Sequence, residues 1–171
     1  MIRQAMDSAT AWVRDHQDEA RYTDSVATAR LESGLRVSVS GPSGELLATD
    51  MPKAVGGGAS AISPGWAFRA AAAACVLSLA TMRAAQQAID GFRCEVDVDS
   101  ESDDRGILGL DESVPAGPLS VRIVVRMSAS AAGREQLGAI ATWAVEHCPV
   151  SESLARQVPV TIDVTPGRSQ R

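Results

Sequence analysis

The stretch SPGWAFRAAAAACVLSLATMRAAQQAIDG, residues 63–91, predicts one long helix and decides the fold. Ser63 can cap the helix with its hydroxyl, and Pro64 suits the first helical position, where its missing N–H costs nothing. No further proline occurs before Asp90 and Gly91, which close the element. At about 1.5 Å per residue, such a helix is long enough to cross a small domain as its central element.

Cys75 lies in the middle of this helix. Residues at helical spacing from Cys75 are mostly apolar, so the thiol is expected to face an apolar environment. They are Pro64, Phe68, Ala71, Ser78, Leu79 and Met82. A cysteine on the apolar face of an alanine-rich helix is most often a packing residue, and that interpretation stays open for Cys75.

The thirteen residues between Arg69 and Arg83 form the longest apolar stretch of the chain. A membrane-spanning helix needs about 20 such residues, so the pattern predicts a core helix rather than a membrane span. The N-terminus lacks the basic and then apolar pattern of a signal peptide. We therefore expect a cytoplasmic protein whose cysteines are reduced at rest.

The composition is that of one soluble globular domain. The 171 residues include 16 Lys+Arg and 21 Asp+Glu, for a formal charge of −5, and 45% are hydrophobic. Nucleic-acid binding rests on clustered Lys and Arg, and base stacking needs more aromatic residues than the 4% present here. Nucleic acid is therefore not an expected partner.

Periodicity outside the long helix predicts an α+β fold with an antiparallel sheet, because the elements do not alternate as in a parallel sheet. Residues 1–25 are predicted to be a short amphipathic helix, from about Asp7 to Glu19, or an arm. Residues 26–164 are predicted to be a single domain, and 165–171 a tail. The predicted strands are 35–40, 45–49, 92–100, 119–127 and 158–164, and the other predicted helices are 132–146 and 151–156.

Two glycine-rich or acidic stretches invite a binding interpretation. Gly56–Ser60 is a loop or a phosphate cradle, but the Lys and Ser/Thr of a nucleotide-binding loop do not follow it. The stretch from Asp97 to Asp104 lacks the spacing of a calcium loop, which favours a solvated strand end.

The three cysteines are packing residues, metal ligands or redox-active thiols in a reducing compartment. Cys94 falls on the packed side of a predicted strand and is expected to be inert. Cys148 directly precedes Pro149, near the N-terminal end of the next predicted helix, where backbone N–H groups stabilise a thiolate. This placement favours chemistry at Cys148 more than the position of Cys75 does by itself.

Metal binding and Cys–His catalysis are both disfavoured. His147 is adjacent to Cys148, the only other histidine is His16, and no CxxC or HxxxH pair is present. The side chains of adjacent residues rarely reach each other, so His147 is not expected to act as a base on Cys148. It is predicted to cap the end of a helix instead.

Two segments resemble the OsmC/Ohr family of organic-hydroperoxide reductases. Residues 63–77 are similar to the family's proline-led, alanine-rich central helix, and residues 146–154, EHCPVSESL, are similar to its second signature, in which Cys-Pro precedes a short helix. The order of elements also agrees, and the resemblance covers about residues 26–164.

The resemblance implies an α+β fold built as an intertwined homodimer, with Cys75 as the peroxidatic thiol and Cys148 as its resolving partner. Cys75 would reduce a small-molecule organic hydroperoxide to the alcohol and become a sulfenic acid, which Cys148 would trap as a disulfide. An external dithiol would close the cycle, and no cofactor is implied. The expected substrate pocket, which suits fatty or aryl hydroperoxides, is formed by Trp66, Phe68, Leu79 and Met82.

The sequence departs from the family at one activating residue. Gly65 stands where strongly active members carry a Glu, which pairs with an Arg from the N-terminal strands. Arg30 and Arg36 are the candidates for that cation, and each is equally compatible with a surface charge on a strand. The alternative function is therefore a non-catalytic module that binds a lipid-like ligand or a partner on the same dimeric fold. A third hypothesis makes both cysteines purely structural.

Overall fold

The computed structural model describes residues 1–165, which form five α-helices, five strands and one short 3₁₀ turn. The helices are α1 (Ile2–Asp15), α2 (Pro64–Gln86), α3 (Asp104–Ile107), α4 (Arg134–Glu146) and α5 (Pro149–Ala155). The strands are β1 (Thr28–Ser33), β2 (Arg36–Ser40), β3 (Leu46–Thr49), β4 (Arg93–Glu101) and β5 (Ser120–Ser128). They form two antiparallel sheets, β1-β2-β3 and β4-β5, which confirms the predicted α+β class.

Helix α2 begins where the sequence predicts. The Oγ of Ser63 accepts a hydrogen bond from the backbone N–H of Trp66 at 3.2 Å, and Pro64 occupies the first turn. The helix ends at Gln86, before the predicted end at Ile89, because Ala88 takes a left-handed conformation with φ of 54°. By length and composition, α2 is the one helix within residues 1–165 able to cross a membrane, but it packs against β4, α1, α4 and α5 as a core helix does.

The core is small and lies where α2 meets α4 and the inner face of β4-β5. Its fully buried members come from the two helices and the residue that follows α4: Val76, Ala80, Ala84, Ile140, Ala144 and Cys148. Alternate residues of the two strands pack onto this cluster, Cys94 among them, so Cys94 takes the packed position that the alternation predicts. Small alanine side chains let α2 approach α4 closely.

Strands β4 and β5 pair over their whole length, from Arg93↔Ser128 to Glu101↔Ser120, within one residue of the predicted bounds. Their outer face is charged and solvated. Arg122 pairs with Asp99 and Arg126 with Asp97, both at 2.5 Å. The acidic residues Asp97 and Asp99 therefore lie on the solvated outer face of β4, where arginines of β5 neutralise their charge.

The first sheet stands apart from this core. The predicted hairpin is present as β2 and β3, and β1 adds a third strand on the other side of β2. Within residues 1–165 these strands contact mainly one another and the loop that follows β3, and Leu46 remains 84% exposed. The sheet therefore has an apolar surface that its own chain does not cover.

The two ends of the chain differ from expectation. Helix α1 spans Ile2–Asp15, earlier than the predicted 7–19. The predicted strand 158–164 is wrong for the single chain, because these residues pair with none of the described strands. Their alternating apolar side chains have no sheet to lie on, and Val160 is 84% exposed. Of the predicted tail, 165–171, residues 166–171 lie outside the described part.

The segment after α4 confirms a predicted break and a second short helix. His147 ends α4, as expected, and its Nδ1 donates to the carbonyl of Trp143 at 2.8 Å while the two rings stack. Helix α5 begins at Pro149, two residues before the predicted start. This turn directs Cys148 inward.

Candidate thiol site

The fold brings Cys75 and Cys148 together. Cys75 lies in the middle of α2 and packs against the buried cluster that contains Cys148, the cap of α5, and each thiol shifts the pKa of the other, so the two are neighbours. Both are free thiols. Cys148 is completely buried, whereas Cys75 is partly exposed, so Cys75 is the member that a dissolved molecule can reach.

Their surroundings shift the pKa values of the two thiols in opposite directions. Burial raises the pKa of Cys148, but hydrogen bonds from the Cys75 thiol, from Ser151 and from the backbone of Val150 outweigh it, so the pKa of Cys148 falls below its ordinary value. Burial, the hydrogen bond donated to Cys148 and the charge of Cys148 raise the pKa of Cys75 to about 11. The thiolate of the pair is therefore favoured on Cys148 and the proton on Cys75.

Ser151 fixes the geometry around Cys148. Its backbone N–H points at the Cys148 Sγ from 3.5 Å. Its hydroxyl donates to the carbonyl of Val145 at 2.6 Å and lies 3.2 Å from the carbonyl of Cys148, which ties α5 to the end of α4. A new helix begins directly after Cys148 because Pro149 suits the first helical position.

Arg30 and Arg36 lie away from the thiols within the described chain. Arg36 bonds the Glu32 carboxylate through Nε at 2.8 Å and the Ser60 hydroxyl through Nη1 at 2.8 Å. Arg30 is an exposed residue of β1, opposite Ser38. The pKa of Cys75 is shifted by burial first, and then by Cys148 and the backbone of Val150; neither arginine contributes.

Sequence reasoning missed a buried carboxylate, that of Asp50, which shares Ser60 as a hydrogen-bond partner with Arg36. Asp50 is 3% exposed and accepts hydrogen bonds from Ser60, through the backbone at 2.9 Å and the hydroxyl at 2.7 Å, and from the backbones of Gly58 and Met51. These bonds, those from Ser60 above all, lower its pKa to about 2. An aspartate at the end of a predicted strand carries no sequence signal for this role.

The stretch Gly56–Ser60 is therefore a loop wrapped around an internal carboxylate, not a phosphate cradle. A Cβ atom on Gly57 would lie 1.9 Å from the carbonyl oxygen of Met51, so only glycine fits there. Asp50 occupies the centre that a phosphate would need.

The four residues of the expected substrate pocket occupy different surroundings. Phe68, Leu79 and Met82 are half-buried on α2, and Leu79 packs against the core, whereas Trp66 is 51% exposed. A cavity of about 350 Å³ lies instead between β5 and α5. Ser151, whose N–H reaches Cys148, forms part of its wall. The other lining residues are Pro118, Leu119, Ser120, Val121, Ile123, Leu154 and Ala155.

The position of Gly65 is open on one side. A Cβ atom there would meet one neighbouring atom within 4 Å, the Nη1 of Arg69 at 3.8 Å. Arg69 in turn donates a hydrogen bond from Nη1 to the hydroxyl of Ser100 on β4 at 3.3 Å. Within residues 1–165, no group of three or more His, Cys, Asp or Glu side chains is arranged to hold a metal ion.

Cys75 in α2 and Cys148 at the start of α5 are neighbours and form a dithiol site. The family of the chain follows from a comparison that covers residues 56–163. These residues match the family model described as OsmC-like protein, so the chain belongs to the OsmC-like family. This confirms the resemblance drawn from the two motifs. The family consists of soluble proteins. No curated protein is detectably similar in sequence.

Solved structures share the fold at low sequence identity. An OsmC-like protein from Mycoplasma pneumoniae is 15% identical, with a TM-score of 0.66 over 79% of this chain and 89% of its own. An organic hydroperoxide resistance protein from Legionella pneumophila is 20% identical, with a TM-score of 0.55 over 78% of this chain and 90% of its own. The organic hydroperoxide resistance protein OhrB of Bacillus subtilis is 22% identical, with a TM-score of 0.51 over 79% of this chain and 93% of its own.

Proposed function

We propose that this protein is a thiol peroxidase that reduces organic hydroperoxides to alcohols with Cys75 and Cys148. The observation that carries the proposal is the contact between these two thiols, one reachable from solvent and one buried. The names of the relatives as organic hydroperoxide resistance proteins support the choice of substrate.

The first chemical step begins with a proton transfer inside the pair. Cys148, whose pKa is lowered, takes the proton of Cys75, and the resulting Cys75 thiolate attacks the distal oxygen of the hydroperoxide. The O–O bond breaks, and the alkoxide leaves as the alcohol with the proton held by Cys148. Cys75 is now a sulfenic acid, oxidised by two electrons.

The second step forms the disulfide. The Cys148 sulfur, a thiolate again after the alcohol has taken its proton, attacks the sulfenic sulfur. An S–S bond forms, and hydroxide leaves as water with a proton from solvent, equal to the one that Cys148 released when it ionised. Two thiols and one hydroperoxide thus give one disulfide, one alcohol and one water. An external dithiol returns the protein to its starting state by thiol–disulfide exchange. This chemistry fits a bacterial cytoplasm, where such reductants are kept reduced.

The test is an intact-mass measurement of reduced protein after one equivalent of cumene hydroperoxide or of hydrogen peroxide. We expect the loss of two hydrogens, mapped to Cys75 and Cys148 and faster with cumene hydroperoxide. Cys75→Ser is expected to abolish peroxide consumption, and Cys148→Ser to leave a dimedone-reactive sulfenic acid. Cys94→Ser is the matched control and should behave as the wild type. Slow oxidation of all three cysteines at similar rates would refute the proposal.

A homodimer is part of this proposal. The chain exposes 12844 Å², about 1.6 times the area expected for a compact monomer of its mass. Exposed apolar side chains lie in three places: the β1-β2-β3 sheet, the segment 158–164 and the outer face of α2 around Leu77. Permanent dimers bury about 2,000–5,000 Å² in total from both partners, so an excess of this kind on each chain is more than enough to supply such an interface. Native mass spectrometry is expected to show two copies; a monomer at micromolar concentration would contradict this.

A non-catalytic role in binding an apolar ligand is the second candidate. It is favoured by the raised pKa of Cys75 and by Gly65, which supplies no activating carboxylate. This role predicts a bound lipid-like molecule in native mass spectra of the purified protein together with thiols that stay reduced after hydroperoxide. Rapid disulfide formation excludes it as the sole function.

A further inference from the structure

Two arginines meet across a polar cavity between α1 and the end of α2. The cavity has a volume of about 400 Å³, and Arg14 of α1 and Arg83 of α2 both line it. Two turns of α2, about 12 Å of helix, separate Arg83 from Cys75, so the cavity is distinct from the dithiol site. The rest of its wall is formed by Asp7, Thr10, Ala11, Gln86 and Gln87.

Neither arginine is paired with a carboxylate within residues 1–165. The Nη1 of the half-buried Arg83 donates to a neutral amide oxygen, that of Gln86, at 3.4 Å, and Arg14 forms no ion pair in this part of the chain. Asp7, the carboxylate in the wall, lies 3.9 Å from the Nε of Arg3. The cavity therefore carries a local surplus of positive charge, although the chain as a whole has a formal charge of −5.

The two glutamines of the wall add hydrogen-bond donors to this charge. The Oε1 of Gln86 accepts from Arg83, and the Oε1 of Gln87 accepts a hydrogen bond from the Nε2 of Gln136 at 3.1 Å. A side-chain amide whose oxygen is occupied still has its NH₂ group to offer. The cavity thus presents two guanidinium groups and two amide NH₂ groups to a molecule inside it, against one carboxylate.

Arg83 is held in place before any ligand arrives. Its guanidinium carbon lies 4.8 Å from the centroid of the Trp143 ring, and this ring stacks on that of His147. A guanidinium on an aromatic face keeps its in-plane N–H donors for another acceptor. The backbone carbonyls of residues 83–85 do not compete for these donors, because the N–H groups of residues 87–89 bind them.

We propose that this cavity binds a phosphate monoester of a small polar molecule, with the phosphoryl group between Arg14 and Arg83. Such a group carries a charge close to −2 and three acceptor oxygens, which match two guanidinium groups and the neighbouring amides. The wall is polar apart from Ala11, so the remainder of the ligand is hydroxylated rather than an acyl chain. Asp7 and Thr10 have oxygens that can accept hydrogen bonds from its hydroxyl groups. This inference does not depend on the proposed function.

The first test is calorimetry on reduced wild-type protein at low ionic strength, with glycerol 3-phosphate as the probe. Glycerate, which has a carboxylate in place of the phosphoryl group, should bind on the order of tenfold more weakly, as for the loss of one hydrogen bond to a charged group. Inorganic phosphate should also bind more weakly, and glycerol should not bind. Glycerol 3-phosphate that fails to bind at millimolar concentration, or binds no more tightly than glycerate or inorganic phosphate, would overturn the inference.

Arginine variants test the location of the site. Arg83→Gln and Arg14→Gln should each weaken the binding of glycerol 3-phosphate on the order of tenfold. Arg14 is exposed on α1, so its replacement leaves the core intact even if Arg83→Gln disturbs the fold. Arg122→Gln is the control, since Arg122 pairs with Asp99 on the outer face of the sheet, and it should bind as the wild type does. Unchanged binding in Arg14→Gln and Arg83→Gln, or an equal loss in Arg122→Gln, would refute the site.

A thermal measurement separates this site from the thiol chemistry. Glycerol 3-phosphate should raise the melting temperature of the wild type and of Cys75→Ser equally, and should leave that of Arg14→Gln unchanged. If the ester binds while hydroperoxides are not consumed, the proposed peroxidase function fails and the phosphate site stands. If hydroperoxides are consumed and the ester neither binds nor raises the melting temperature, the phosphate site alone is refuted.

Discussion

The backbone N–H of Ser151 points at the Sγ of Cys148 from 3.5 Å, so the buried thiol is itself the N-terminal cap of α5. A thiolate is a better acceptor than a thiol, and this contact therefore favours the charged form of Cys148. Because each thiol shifts the pKa of the other, the two groups titrate as one unit, and the first proton to leave belongs mainly to Cys148.

Replacing Cys148 by alanine should lower the pKa of Cys75 from about 11. The hydrogen bond to Cys148 and the charge of Cys148 both raise this pKa, whereas the burial that also raises it remains in the variant. Thiolate absorbance near 240 nm against pH, in a Cys94→Ser background, measures the change. The reciprocal Cys75→Ala variant should raise the pKa of Cys148, and unchanged titrations in both variants would contradict the coupling.

Ser151→Ala should raise the pKa of Cys148 and cost about 1 kcal/mol of stability, because a hydroxyl hydrogen bond to Val145 is lost. Thiolate titration and urea unfolding measure the two effects. Ser153→Ala is a matched control on the same helix, since the Ser153 hydroxyl donates to Val150 and not to the thiol. Equal titrations for the two variants would show that Ser151 has no special effect on Cys148.

Asp50 makes the stability of the folded protein depend on pH in the acid range. Its pKa of about 2 in the folded chain lies below that of an unfolded aspartate, 3.8, so its contribution is complete above pH 3.8 and is lost as the pH falls toward 2. Asp50→Asn should lower the melting temperature at pH 6 and flatten its fall between pH 4 and 2. Asp104→Asn, at an exposed position with no such hydrogen-bond set, is the control. A parallel fall in Asp50→Asn and wild type would refute the role of Asp50.

Ile140→Ala should destabilise the protein by about 2–5 kcal/mol, because it leaves a cavity at the centre of a small core. Chemical unfolding followed by circular dichroism measures this loss. Leu46→Ala on the uncovered sheet serves as a comparison within one chain, since Leu46 is not part of that core. If Ile140→Ala lowers the free energy of unfolding by less than 1 kcal/mol, the prediction is wrong, and neighbouring side chains have moved in to fill the cavity.

Leu77→Glu should shift the protein from two copies toward one. Leu77 lies on the outer face of α2, beside the exposed alanines at 71 and 74, and a buried carboxylate on that face would lack a partner. Light scattering after size exclusion measures the mass. Glu95→Gln, on the solvated face of β4, should remain at the wild-type mass, and a Leu77→Glu protein of unchanged mass would place the contact elsewhere.

Local signals in the sequence predicted most of the elements. Ser63 and Pro64 mark the start of α2, and strict alternation marks β4, because capping chemistry and side-chain period depend on neighbouring residues only. The strand predicted at 158–164 fails for the opposite reason. A strand forms only when a neighbouring strand offers an edge for pairing, and the alternation of apolar residues does not indicate whether such a neighbour exists.

The candidate site was predictable in its cysteines and not in its surroundings. Cys75 and Cys148 follow from two motifs of the family, whereas the burial of Asp50 depends on its contact with Ser60, which is set by the closure of the loop. Arg36, one of two candidates for the cation beside the thiol and equally compatible with a surface charge, bonds Glu32 and Ser60 because the hairpin places it over the glycine loop.

The sheet formed by β1, β2 and β3 leaves much of its apolar surface without cover from its own chain. If a second copy supplies the missing cover, as in the proposed homodimer, unfolding and dissociation become a single equilibrium governed by mass action. Dilution then acts on this protein as a denaturant does, and its melting temperature rises with the amount present. A cell that produces few copies would therefore hold a less durable protein than a cell that produces many.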